Sequence, residues 1–174
     1  MSQQLQENTM KKIGVEKLVI NIGVGKSGEP IEKAKKALLE LTGQQSAVRG
    51  AKKTVRDFGI HKGEPIGAVV TMRREPAIDF LKRVLVAKKN VLKRSSFDDF
   101  GNISLGIHEH IDIPGTKYNP DIGIFGMDVN VTLSRPGYRI ARKSRKSGRI
   151  GRHHRINREE AVDFFKQEFG VEIE

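Results

Sequence analysis

The 174 residues carry a formal net charge of +11, so an anionic partner is the leading expectation. The absence of cysteine excludes a disulfide framework and a thiolate metal site, and it fits a reducing cytoplasm. No run approaches the roughly 18 apolar residues of a membrane span, and Met1–Lys12 lacks the apolar core of a secretory signal.

In chain order, Glu16–Pro30 opens as a strand, with Leu18, Ile20 and Ile22 alternating against Val19 and Asn21. It breaks at Gly23, Gly25 and Gly28, and Pro30 suits the first turn of a helix. The GVGKS run resembles a nucleotide loop, but the P-loop pattern needs a glycine where Ile20 stands. The alternative is a glycine turn whose free amides, with Lys26, meet an external phosphate. A helix follows from Pro30 to Thr42, with Ile31, Ala34, Leu38 and Leu41 as its apolar stripe and Gly43 beyond its end. Gln44–Val48 reads as a short strand. The segment from Arg49 to Glu64 shows no usable period; its basic composition marks it as a functional loop.

Ile66–Arg73 alternates as a strand. A second helix starts at Pro76 with Ile78, Leu81, Val84, Leu85 and Val91 on one stripe. Lys82, Arg83, Lys88, Lys89, Lys93 and Arg94 would form its basic outer face and end. After a turn at Ser96–Asn102, the pattern predicts a strand over Ser104–Ile113, with His108, His110 and Asp112 on its polar side. Gly115–Ile122 is a loop, and Met127–Leu133 gives the clearest alternation in the chain. Asn157 with Glu160 predicts a capped final helix whose core face holds Ala161, Phe164 and Phe165, ending at Gly170.

These elements predict an α+β fold of two layers: a mainly antiparallel sheet with helices on one face. The other face would be polar, carrying Asn21, Thr71, Arg73, His108, His110, Asn130 and Thr132. That alternation belongs equally to a water-facing sheet and to a nucleic-acid platform.

The charge is concentrated. No acid lies between Asp128 and Glu159, a stretch holding Arg135, Arg139, Arg142, Lys143, Arg145, Lys146, Arg149, Arg152, Arg155 and Arg158. A second basic segment holds Arg49, Lys52, Lys53, Arg56, His61 and Lys62. Ordinary soluble surfaces mix both signs, so these segments point to a polyanion. Enzyme chemistry finds no support: there is no cysteine, no G-x-S-x-G elbow, and the carboxylate pairs sit where helix and turn capping explain them. His108 and His110 could share a strand face, but a catalytic zinc would need a third ligand. No metal and no cofactor is expected. Without clustered surface aromatics, an RNA partner would be read by shape, backbone and 2′-hydroxyl contacts rather than by base stacking.

Four stretches carry a family resemblance: LVINIGVG, LTGQQSAVRGAKKTVRDFGIHKGEPIGAVVTMR, SFDDFGNISLGIHEHI and IGIFGMDVNVTL. In this order they resemble the family of universal ribosomal protein five of the large subunit. The resemblance is to its archaeal and eukaryote-like form, since the longer N-terminal helix of the bacterial form is missing and Arg135–Glu174 is more basic than the bacterial ending. It implies one RNA-binding unit over 1–174, with 49–64 as a protruding basic loop, 135–156 as a basic extension and 157–174 as the C-terminal helix and end. It also implies a cytoplasmic protein of the large ribosomal subunit that binds 5S ribosomal RNA in the central protuberance. Asn21, Gln44 and Thr71 match the family's polar RNA contacts, and Arg73 adjoins them on the VTMR strand. The loop residues Arg49, Lys52, Lys53, Arg56, His61 and Lys62 would face the tRNA in the peptidyl site. Arg142, Lys143, Arg145, Lys146, Arg149 and Arg152 would neutralise large-subunit ribosomal RNA phosphates. A small-subunit protein is implied as the partner of an intersubunit bridge. A generic basic RNA chaperone and a nucleotide-dependent switch are the alternatives.

Overall fold

The computed structural model describes residues 8–174; residues 1–7, part of the stretch read for a secretory signal, lie outside them. Strand β1 (Gly14–Gly23) occupies the middle of the sheet. It pairs antiparallel with β3 (Pro65–Arg73) on one side and β6 (Met127–Ser134) on the other. Strand β2 (Ala47–Gly50) adds to β3 and β5 (Ile103–Ile107) to β6, giving the order β2-β3-β1-β6-β5 with every neighbour antiparallel. The period of two puts Leu18, Ile20 and Ile22 of β1, with Val129, Val131 and Leu133 of β6, fully or almost fully out of water. The expected α+β fold with a mainly antiparallel sheet is the observed one.

Three helices share the core with that inner face. Helix α1 (Glu29–Thr42) buries Ile31, Ala34, Ala37, Leu38 and Leu41, and Gly43 closes it in the left-handed conformation with its N–H on the Leu39 carbonyl (2.8 Å). Helix α2 (Glu75–Ala87) buries Ala77, Phe80, Leu81, Val84 and Leu85. Helix α3 (Arg158–Phe169) contributes Ala161 and Phe165, the latter edge-on to Phe97 at 5.8 Å between ring centres. At its start the Glu160 carboxylate accepts the Asn157 N–H (3.0 Å).

Several boundaries differ from the sequence reading. Helix α2 stops at Ala87, because Lys89 and Asn90 take positive φ; Val91 lies instead in β4 (Val91–Leu92), paired in parallel with β7 (Glu172–Ile173). Its stripe runs through Ala77 and Phe80, leaving Ile78 half-buried. Arg83 does not join the basic outer face: it lies over the Phe80 ring (5.1 Å) and donates to the Leu41 carbonyl (2.9 Å). Phe164 is half-buried beside Phe165 rather than in the core. The short strand after α1 begins at Ala47, so Gln44 stands in the preceding loop.

Candidate nucleic-acid interface

Among the described residues, the helices share the core with the sheet's inner face, and most side chains of the outer face are exposed or half-exposed. Its register sets side chains in three rows: Arg73, Lys17 and Thr132; then Thr71, Val19, Asn130 and Ser104; then Val69, Asn21, Asp128 and Gly106. Thr71, Arg73, Ser104, Asp128 and Asn130 are exposed, and Lys17, Asn21 and Thr132 half-exposed. The alternation is not wholly polar, since Val69 is buried between Asn21 and Ala47 of its neighbours. Asn21 lines a shallow basin with Gly23, Gly106, His108, Gly126 and Asp128. A Cβ on Gly126 would stand 3.2 Å from the His108 carbonyl, so a small residue there keeps the two chain segments close. Asn21, Thr71 and Arg73 therefore share one surface; Gln44 lies off it, half-buried after α1.

His110 is not on that surface. Strand β5 ends at Ile107, and the chain turns so that His110 is buried, its N–H donating to the Phe125 carbonyl (3.0 Å) and its Nδ1 accepting the Phe125 N–H (3.3 Å). His108 stays exposed, so the two histidines do not share a face as metal ligands would require.

The segment from Arg49 to Glu64 is built, not structureless. Its base continues the β2–β3 ladder: Ala51 donates to the Glu64 carbonyl and accepts from the Gly63 N–H, both at 2.8 Å. Further out, Val55 and Ile60 exchange backbone hydrogen bonds (2.9 and 3.1 Å). Glu64 braces the structure by accepting from the Ser27 hydroxyl (2.6 Å) and the His61 N–H (2.8 Å). The His61 amide and the Ser27 hydroxyl hold its carboxyl below the ordinary carboxylate value. Arg49, Lys52, Lys53, Arg56, His61 and Lys62 are all exposed on this hairpin. At its tip Phe58 is 76% exposed, an aromatic that the missing period hides.

The same hairpin disposes of the nucleotide loop. The Val24 and Gly25 amides both donate to the Ile66 carbonyl (2.9 and 3.0 Å), and Ser27 is held by Glu64. Those amides serve the fold and are not free for a phosphate.

The basic extension divides into a buried root and an exposed arm. Arg135 is buried: its Nε donates to the Lys11 carbonyl (3.0 Å), Nη1 to the carbonyls of His154 and Arg155 (3.4 Å each), and Nη2 to the Glu160 carboxylate (2.8 Å). Burial works to raise the Glu160 pKa, but hydrogen bonds from Arg135 and the Asn157 amide outweigh it and hold it low. Tyr138 adds a second tie, accepting the Ile156 N–H (2.8 Å) and donating to the His154 carbonyl (3.3 Å). Beyond this root, Arg142, Lys143, Arg145, Lys146, Arg149 and Arg152 are exposed; Arg142 pairs with Glu16, which sits at a β-bulge in β1. Composition groups Arg135 with these cations, and only burial separates it from them.

Comparison with known proteins covers most of the described chain. The family model described as ribosomal protein L5 matches residues 8–61, and that described as the ribosomal L5P family C-terminus matches residues 65–166. The chain belongs to the ribosomal L5 family. Among its relatives, the large ribosomal subunit protein uL5 of Cenarchaeum symbiosum is 57% identical over 94% of this chain and 97% of its own length. Those of Sulfolobus acidocaldarius and Nitrosopumilus maritimus are 50% and 51% identical, covering 99% and 98% of this chain and 97% and 98% of their own. The two matched segments meet in the β2–β3 hairpin, and strands from both interleave in the one sheet.

Proposed function

We propose that this L5-family chain is a non-catalytic structural constituent of the large ribosomal subunit, like its uL5 relatives, and that its open sheet face holds 5S ribosomal RNA in the central protuberance. The observation that supports this reading is the set of neutral hydrogen-bonding side chains that stand in register on the outer face of the sheet. Asn21 and Thr71, with Asn130 and Ser104 beside them, suit 2′-hydroxyls and base edges in a folded RNA. Asp128, directly opposite Asn21, repels a phosphate there and accepts from a base amino group or a hydroxyl instead. Arg73 adds a cation at the end of the face, and Gln44 a contact beyond it.

The braced hairpin projects Lys52, Lys53, Arg56 and Lys62, with Arg49 and His61, toward the backbone of the peptidyl-site tRNA. Arg142 to Arg152 neutralise large-subunit ribosomal RNA phosphates, and a small-subunit protein completes an intersubunit bridge. On this reading the chain is one RNA-binding unit in the cytoplasmic ribosome.

The test is binding to 5S RNA and to a size-matched unrelated folded RNA across a salt series. Preference for 5S RNA persisting at about 200 mM salt supports the reading, because phosphate-only binding falls steeply with salt. Thr71→Ala should weaken 5S binding and leave the salt slope nearly unchanged. Lys53→Ala should leave 5S affinity near wild type. Equal affinities for both RNAs, collapsing together with salt, would replace this reading with that of a basic RNA chaperone.

A further inference from the structure

One corner of the sheet face is held in a conformation and a charge arrangement that folding alone disfavours. The β1–α1 and β3–α2 junctions use the same backbone bend, immediately before a Glu-Pro that opens the helix. At Gly28-Glu29-Pro30 the bend has φ 93° and ψ −142°, and at Arg74-Glu75-Pro76 it has φ 61° and ψ −144°. This region of positive φ is populated almost only by glycine, because any Cβ is crowded there. Glycine fills the first junction; an arginine fills the second.

The neighbouring pair adds a second cost. Lys17 and Arg73 lie directly opposite each other across β1 and β3, two like charges where an oppositely charged or neutral pair would stabilise the ladder. Among the described residues, the side chains of Lys17, Arg73 and Arg74 have no ion pair or hydrogen bond; Arg135, Arg142, Arg94 and Arg158 each have an acidic partner. A solvated surface gives no reason to hold one arginine in a strained bend beside a pair of opposed cations. An anion does, since it turns the repelling pair into a clamp and gives the strained arginine a partner.

We propose that Lys17, Arg73 and Arg74 form a phosphate-binding corner at the cationic end of the sheet face, and that Arg74 occupies a glycine conformation in order to place a cation there. The anion is a backbone phosphate of the RNA on this face, an assignment that rests on the function proposed above. The face is then graded: phosphate at the Lys17–Arg73 row, and bases or hydroxyls at the Asn21–Asp128 row.

The decisive variant removes strain and charge together. Arg74→Gly should fold better than the native chain, with a melting temperature higher by about 3 °C. It should bind 5S RNA about fivefold more weakly, with the log–log salt slope reduced by about one. Arg74→Lys should keep the native melting temperature and the native slope, because strain and charge are both retained. Lys17→Gln should also lower the slope by about one. An Arg74→Gly protein with unchanged affinity and slope would overturn the proposal, and so would one that melts at or below the native temperature. Measuring the slopes on both 5S and unrelated RNA separates the two readings. A drop of one on both RNAs upholds the corner even where 5S preference is absent, and a native preference for 5S RNA with no drop removes only the corner.

Discussion

The two basic segments look alike in composition and differ in how they are held. The hairpin from Arg49 to Glu64 inherits its shape from the sheet: backbone ladders run out along it, and a carboxylate, Glu64, locks its base to the β1–α1 turn. The extension from Arg135 to Ile156 has almost no ladder. It is fastened at its root by the buried Arg135 and by Tyr138, and along its length by Arg142 on Glu16 and by Arg155 on the Ile150 carbonyl. One segment is laddered along its length; the other is tied down at a few points. Local charge density reports neither property, and hydrogen-bond accounting reports both.

The sharpest way to break this comparison is at the root. Arg135→Met should destabilise the fold by about 3 kcal/mol in chemical denaturation, since it strands a half-buried carboxylate and three carbonyls. Replacing an outward arginine such as Arg145 should change stability by less than about 0.5 kcal/mol. Similar losses from both would mean that the root is no different from the arm. Next in size, Arg145, Lys146 and Arg149 replaced together by alanine should lower the RNA-binding salt slope by about three and leave the melting temperature unchanged.

A smaller effect concerns acid. The Glu160 pKa is lowered in the folded state, so its contribution is complete above the ordinary carboxylate range and is lost as pH falls through the folded value. Urea titrations between about pH 6 and pH 3 should therefore show an acid loss that Glu160→Gln removes, at the expense of lower stability at neutral pH. The smallest effect is local. Glu64→Gln should speed amide exchange in residues 54–62 with global stability unchanged; protection as in the native chain would show that the ladder alone stiffens the hairpin.

How much of this is legible in the sequence depends on which force decides each element. Strand β6 can be read almost to the residue, because one buried and one exposed face write a period of two into the chain. Helix α1 is equally plain from Pro30 and Gly43. The end of α2 is not. Val84 and Val91 stand seven residues apart, about two helical turns, so period alone extends the helix to Val91. The pairing with β7, far along the chain, claims Val91 instead. His110 escapes the pattern for a related reason. Its alternation with His108 continues the strand, but the backbone partner that turns it inward is Phe125, which no local pattern announces.

At the candidate site, alternation puts Asn21, Thr71 and Arg73 on one polar strand phase, and the register sets them on one face. Arg135 is not legible, because a buried arginine and an exposed one have the same letter. Nor is Arg74, whose significance lies in a dihedral angle.

The position of β1 has a consequence for the order in which the outer sheet face is completed. Its pairing with β3 can form early, whereas its other edge waits for β6, whose register joins Gly14 to Ser134 across most of the sequence. Such a distant closure is slow compared with the nearer hairpin contacts. Until it happens, the surface lacks Asp128, Asn130 and Thr132, while Lys52, Lys53 and Arg56 are already in place on their hairpin. On the function proposed above, a growing chain would carry the hairpin's positive charge before its outer sheet face is complete, because β6 brings Asp128, Asn130 and Thr132 to that face.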